Sequence, residues 1–322
     1  MKTVTKLGVF AGALVVVFSN AYMVGQALGY SPAGPTAAAA AAEEDGPAGL
    51  MISQESLTLK VLNDTFPAGA QQTLAFQILE RDGKPLQRFT PQHDKLLHLI
   101  VARRDLSHFQ HVHPNLGPDG TWRIPLTFPE AGEYKIFADF MPAWGIHSIT
   151  LGTDISVSGD YRPRPLPPVS STATVEDYTV TMSGRPVPGQ SSRLTLHLAK
   201  NGTPVTDLEP YLAAYGHLVA LRDGDLAYIH VHPDGTPGDG KTKPGPEIVF
   251  FTEVPSFGAY RMFLDFQHQG VVRTAAFTVN VDGPNPPPHG LTPEQFEAAK
   301  AKNLNGGSGS GQTGESGHGH GG

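Results

Sequence analysis

Between about residue 51 and residue 282 the chain is a succession of short runs in which apolar and polar positions alternate. LTLKV, TLAFQIL, LLHLIVA, FQHVH, WRIPLTF, YKIFADF and LGTDISV follow one another in the first half. They are rich in β-branched and aromatic residues and are separated by Gly, Pro, Asn and Asp, which is the pattern of strands joined by turns. Seven such strands in about 100 residues predict an antiparallel β-sandwich of immunoglobulin-like or cupredoxin-like type.

The same pattern then repeats. Gly83-Lys84-Pro85 matches Gly202-Thr203-Pro204 at an offset of 119, and GEYKIFADF from Gly132 matches GAYRMFLDF from Gly258 at an offset of 126. The extra seven residues fall in TPGDGKTKPG, residues 236–245, a surface insertion by composition. Self-similarity on this scale predicts a duplicated domain. The expected modules are residues 51–159 and 171–282, with the Pro-rich 160–170 as a semi-rigid linker. In each GxYxxF strand, Tyr134 or Tyr260 is expected to anchor a corner while the aromatics fill a core.

The ends differ from the middle. Lys2 and Lys6 precede an uncharged stretch of 23 residues, Leu7–Gly29. This length spans a bilayer as a helix, and the lysines favour a cytoplasmic N-terminus with the remainder exported. The expected location is the cell membrane, single-pass over residues 1–29, with secretion after cleavage near Ser19-Asn20-Ala21 as the alternative. Residues 30–50 read as an Ala/Pro/Gly tether and residues 283–322 as a Pro/Gly-rich tail. Within the tail, Thr292 as N-cap and Pro293 at the first helical position predict a short helix over 293–303.

Composition narrows the function. The formal charge is −7 and no basic patch is sustained, which excludes nucleic acid as a partner. There are no cysteines, so disulfides, thiolate metal sites and cysteine nucleophiles are excluded. The 14 histidines carry the remaining chemistry.

HLIVARRDLSHFQHVHP, residues 98–114, and HLVALRDGDLAYIHVHP, residues 217–233, are two copies of one hairpin. His98, His111 and His113 map onto His217, His230 and His232 at the constant offset of 119. Residues two apart on a strand share a face. If the connecting turn holds an even number of residues, the first histidine joins that face from the neighbouring strand, close enough for the rings to converge on one ion. Imidazole-only sites suit Cu(II) or Zn(II), so the expected cofactor is a copper ion, alternatively zinc. Met141, His147 and His268 are candidates to complete the coordination, Asp139 and Asp265 are candidates for orienting an imidazole or a backbone turn or for ligation, and His93, His108, His197 and His289 read as ordinary surface or loop residues. A blue-copper site is rejected because the cysteine position is vacant, and a cupin because no glutamate follows HVHP.

The duplicated HVHP hairpin, the GxYxxFxDF strand and the N-terminal apolar segment together resemble a family of exported, membrane-anchored bacterial proteins described as secreted or heavy-metal-associated. In general plan the modules are similar to CopC-like copper-binding sandwiches, without their N-terminal histidine motif. The resemblance implies copper or another divalent metal, and a metal transporter or another envelope protein as partner. The expectation is therefore a non-enzymatic extracytoplasmic metal binder in metal homeostasis with one three-histidine site per module. Its rivals are an immunoglobulin-like envelope interaction module with structural histidines, and a hydrolytic zinc enzyme.

Overall fold

A computed structural model describes residues 47–283 and 292–306. The segment expected to cross a membrane, residues 1–29, lies outside the described residues, as do most of the tether, the end of the tail and the side chains of His230 and His232. No helix among the described residues is long and apolar enough to cross a membrane. The C-terminal helix α1 spans Pro293–Gly306, three residues beyond its expected end. It opens with a capping box, Gln295 N–H donating to Thr292 Oγ1 and Thr292 N–H to Gln295 Oε1.

The first module contains β1 (Ser53–Gln54), β2 (Leu57–Val61), β3 (Thr65–Pro67), β4 (Gln71–Leu79), β5 (Phe89–Thr90) and β6 (Leu97–Arg103). It continues with β7 (Gln110–Val112), β8 (Asn115–Leu116), β9 (Trp122–Thr127), β10 (Gly132–Pro142) and β11 (Ile149–Ser158). One sheet has the order β1-β2-β4-β9-β8 and the other β3-β11-β10-β6-β7, with β5 added on β10. The second module contains β12 (Thr172–Val175), β13 (Tyr178–Ser183), β14 (Ser192–Lys200), β15 (Thr203–Pro204) and β16 (His217–Arg222). Then follow β17 (Tyr228–His230), β18 (His232–Pro233), β19 (Glu247–Thr252), β20 (Gly258–His268) and β21 (Val271–Val281). Its sheets are β12-β13-β14-β19-β18, with β15 on β14, and β17-β16-β20-β21.

The chain is thus two tandem β-sandwiches of immunoglobulin-like type. Both GxYxxF tyrosines make the corner that their position predicts: Tyr134 OH donates to Glu130 O at 2.8 Å and Tyr260 OH to Ser256 O at 2.9 Å. Each sandwich has its own apolar core. Leu97, Leu99 and Val101 of β6 and Tyr134, Ile136, Ala138 and Phe140 of β10 enter the first. Leu218 and Ala220 of β16 and Tyr260, Met262, Leu264 and Phe266 of β20 enter the second. Each fully buried Leu or Phe contributes about 1.5–3 kcal/mol through area removed from water.

The alternate positions of the same strands form a third cluster between the modules. Ile100, Ala102 and Phe137 of the first pack with Val219, Leu221, Tyr228 and Phe263 of the second. Phe109 and Phe263 stack across this seam with ring centroids 4.0 Å apart. Every residue of β6 is therefore buried, one face in its own sandwich and one against the other module.

Segments expected to be tether and linker help to build the seam. Ala48 O accepts from Tyr228 N–H at 2.9 Å, filling the open edge of β17. Gly49 has φ +73°, and a Cβ there would lie 2.4 Å from the Phe137 ring, so glycine permits the approach. In the Pro-rich segment, Arg164 N–H donates to Asp105 Oδ2 at 2.8 Å and Leu166 packs into the seam. The segment lies against the first module instead of spanning free between two.

Candidate metal centre

The two hairpins meet at this seam, and their register decides where the histidines point. In β6–β7, Val101 pairs with Gln110, Ile100 with His111 and Leu99 with Val112. Eight residues, 102–109, separate Val101 from Gln110, an even number, and the same register carried one residue beyond Leu99–Val112 sets His113 across from His98. All three histidines thus share the face of Ile100 and Ala102, which looks toward the second module. In β16–β17, Leu221 pairs with Tyr228 and Val219 with His230, again with an even interval, residues 222–227. Both turns are clamped by an arginine on an aspartate, Arg103 on Asp105 and Arg222 on Asp225.

The ligand atoms of His98, His111 and His113 all lie within 4.8 Å of one another. His98 Nδ1 is 3.0 Å from His111 Nε2 and 3.1 Å from His113 Nε2. Two of the three rings have their other nitrogen engaged. His98 Nε2–H donates to Gln92 O at 3.0 Å, and His111 Nδ1–H donates to Asp265 Oδ2 at 2.9 Å, with Thr274 Oγ1–H on the second carboxylate oxygen at 2.5 Å. A neutral imidazole that donates through one nitrogen presents a lone pair at the other. Lone pairs of His98 and His111 then face each other at hydrogen-bond distance, an arrangement that needs a cation between them or a proton on one. Two nitrogens bound tetrahedrally to one ion at 2.0–2.1 Å stand about 3.3 Å apart, close to what the chain presents.

Burial favours the uncharged form of His98, His113 and His217. Burial pushes His98 down to about 4, against the opposing pull of the Gln92 carbonyl. Burial, followed by the neighbouring His111 and His98 rings, pushes His113 down to about 2. His217 is pushed down to about 4 by burial, and its Nε2–H donates to Tyr211 O at 2.8 Å. That bond repeats the His98 to Gln92 bond at the offset of 119.

The two aspartates that recur at matching positions act reciprocally across the seam. Asp139 pairs in register with His98 and Asp265 with His217, each on the strand next to its own module's histidine. Their carboxylates nonetheless serve the other module: Asp265 holds His111, and Asp139 accepts from Tyr228 OH at 3.0 Å. A cavity of about 20 Å³ lies between, bordered by His93, His98, His111, Asp139, His217 and Tyr228. That volume holds about one water-sized occupant.

Other expectations are corrected by parity and position. His268 falls on the core face of β20, with Phe266, so it bonds Tyr178 OH at 2.7 Å and Asp207 Oδ1 at 3.1 Å, away from the histidine face. His147 stands in the exposed loop after β10 and bonds Glu55 Oε1 at 2.6 Å. Met141 is on the same face as Asp139, but its sulfur accepts from Gln92 Nε2–H at 3.1 Å. None of the three joins the trio. His93, expected to be an ordinary surface or loop residue, stands in a turn but joins the cluster: its ring centroid is 5.4 Å from that of His217 and 6.3 Å from that of His98. It has no counterpart in the other module, so the repeat that exposes the other histidines conceals this one. The backbones of His230 and His232 are in strands, His232 pairing with Phe251 of β19, while their side chains are outside the described residues.

The family profile described as Domain of unknown function (DUF8832) matches the chain twice, over residues 53–158 and 173–283. This replaces the heavy-metal-associated family that the hairpin resembles with a duplicated domain of unassigned role. No curated protein sequence matches the chain. Among solved structures the chain is similar to the Escherichia coli adhesin FdeC, at 16% identity and TM-score 0.23, over 72% of this chain and 65% of that one. It is also similar to a putative membrane anchored protein from Corynebacterium diphtheriae, at 12% identity and TM-score 0.22, over 72% and 60%. The D0-D1 domain of intimin is matched at 10% identity and TM-score 0.20, over 70% and 99%. The chain thus spans less than two thirds of the first two proteins.

Proposed function

We propose that this chain, which belongs to the DUF8832 family, binds a copper or zinc ion through His98 Nδ1, His111 Nε2 and His113 Nε2 at the seam between its two modules. The observation that supports this is the convergence of three ring nitrogens while the far nitrogens of His98 and His111 are held by Gln92 O and Asp265. Imidazole ligands in metalloproteins are oriented in this way, by a carbonyl or carboxylate on the other N–H. A cavity of about 20 Å³ suits the keeping or passing on of an ion better than hydrolysis of a substrate, which needs a cleft beside the metal. With the apolar stretch Leu7–Gly29 as anchor, the protein would work on the extracytoplasmic side, taking metal from or giving it to a transporter or another envelope protein.

Calorimetric titration of the purified chain with Zn(II) and Cu(II) tests this. Wild type is expected to take up one equivalent at the trio. The variant with His111→Ala and His113→Ala is expected to lose it, its affinity falling by more than about a hundredfold as two ligands are removed. Equal uptake by wild type and variant would sink the reading.

A second reading is an immunoglobulin-like envelope interaction module in which the cluster is a structural clasp. One observation favours it: a doubly protonated His111 would donate to both Asp265 and His98, satisfying the contact with no metal. Unchanged melting on adding metal or chelator would support that reading.

A further inference from the structure

The turn before each hairpin is duplicated too, and one copy carries chemistry that the other lacks. His93 and Asp94 have φ of 48° and 63°, and Leu212 and Ala213, 119 residues on, have 52° and 58°. The same pairing closes each turn, Gln92 with Lys95 and Tyr211 with Ala214. Two successive positive φ values make a type I′ turn, so the backbone is common to both copies and the side chains are the difference.

The module-one turn stands at the mouth of the metal centre. His93 borders the cavity of about 20 Å³ with His98, His111 and His217. It also borders an open groove of about 360 Å³, formed by Pro91 and Asp94 of the first module with Ala213, Pro233 and Thr236 of the second. Among the described residues it alone lines both spaces. Its partner across the seam is His217, whose Nε2–H is spent on Tyr211 O and whose Nδ1 therefore carries the lone pair.

We propose that His93 and His217, one from each module, form an imidazole pair at the neck between groove and cavity that relays a copper or zinc ion to the His98–His111–His113 trio. The proposal rests on the trio holding metal. Two imidazoles bind such an ion more weakly than three, so an ion caught at the neck can move inward by exchanging ligands one at a time. His217, the counterpart of His98 at the offset of 119, would then handle the same ion, its ring 6.1 Å from that of His111.

The test is stopped-flow loading of the full chain with Zn(II) delivered from a chromophoric chelator, comparing wild type with His93→Leu, His93→Gln and, as a control for loss of an exposed histidine, His147→Leu. Leucine already occupies the equivalent turn position as Leu212, so the turn is retained, and His93→Gln keeps a polar side chain there if Leu disturbs folding. Both His93 variants are expected to reach the wild-type stoichiometry and affinity at equilibrium, with loading slower by about tenfold or more, and His147→Leu to load like wild type. Loading of both His93 variants at the wild-type rate would overturn the relay while leaving the trio intact. An affinity loss as large as that of His113→Ala would overturn it in another way, by making His93 a ligand of the trio. A wild type that takes up no metal would overturn the trio and the relay together.

Discussion

The two modules are copies with the same register and the same first bond on the leading histidine, yet they do different things at the seam. In the first, the chain after β7 stays with the hairpin through His113 and crosses to the other sheet at Asn115, which pairs with Arg123. In the second it crosses earlier, His232 already pairing with Phe251. The second also carries the insertion 236–245 and has Leu212-Ala213 where the first has His93-Asp94. The first module gathers three histidines, and the second supplies the carboxylate that holds one of them. What duplication provided is not two independent sites but two matching faces, and the chemistry lies where they meet.

The comparison breaks most completely if the faces part. Phe263 points away from its own core and stacks on Phe109. Phe263→Ala is expected to cost about 3–5 kcal/mol, the usual range for truncating a buried Phe, and to fall on the seam while both cores stay intact. Differential scanning calorimetry should then show two transitions where wild type shows one. A single transition, shifted but undivided, would mean that the modules do not depend on this contact.

Acid sharpens the contrast next. Without metal, the folded chain keeps His98 and His217 neutral down to about 4, whereas the unfolded chain protonates them near 6.5. Between these values the unfolded state binds more protons, so stability falls as pH is lowered from about 6.5 to about 4. His98 alone accounts for on the order of 3 kcal/mol of this. His113 extends the loss to about 2 and belongs to the first module. Both tryptophans, Trp122 and Trp144, are also in the first module. In the presence of chelator, tryptophan fluorescence should therefore report acid unfolding at a pH at or above that seen by far-UV circular dichroism, which averages both modules. The reverse order would contradict the assignment.

A smaller effect separates the two aspartates. Asp265→Asn removes the carboxylate that orients His111 and is expected to weaken metal binding by about 10–100-fold, the range for losing an orienting partner. Asp139→Asn changes a bond to Tyr228 instead, and should leave affinity at the trio within a few-fold of wild type. Equal losses in the two variants would show that the asymmetry at the seam has no bearing on the metal.

Much of this was legible in the residues. Alternating runs gave the sandwiches, the offset of 119 gave the duplication, and an even turn was the one condition under which His98 joins His111 and His113, which the register meets. The meeting of the modules was harder to see, because alternation reports one buried face per strand. The sign was present in LHLIVAR, whose unbroken apolar run Leu99–Ala102 does not alternate, as befits a strand buried on both sides. His93 was hidden because no repeat marks it, and His268 misled because it ends β20 in register with Phe266, on the core face, so that closeness in sequence to the FLDF run was no guide to the histidine face. Asp265 was visible as a recurring residue, but only the fold shows that it serves the opposite module.

The smallest expected effect tests whether the copies are equivalent away from the seam. Tyr134 and Tyr260 are both fully buried and make the same bond to the carbonyl four residues back. Replacing either with Phe leaves a carbonyl without its donor and should cost about 1 kcal/mol. Tyr260 OH has an additional neighbour, Ser256 Oγ at 3.3 Å, which has no match at Glu130, so a slightly larger loss is expected in the second module. Neither variant should alter metal affinity, since both tyrosines face their own cores. If Tyr134→Phe weakened binding as Asp265→Asn does, the trio would depend on the sandwich behind it, and the seam would not be the unit of function.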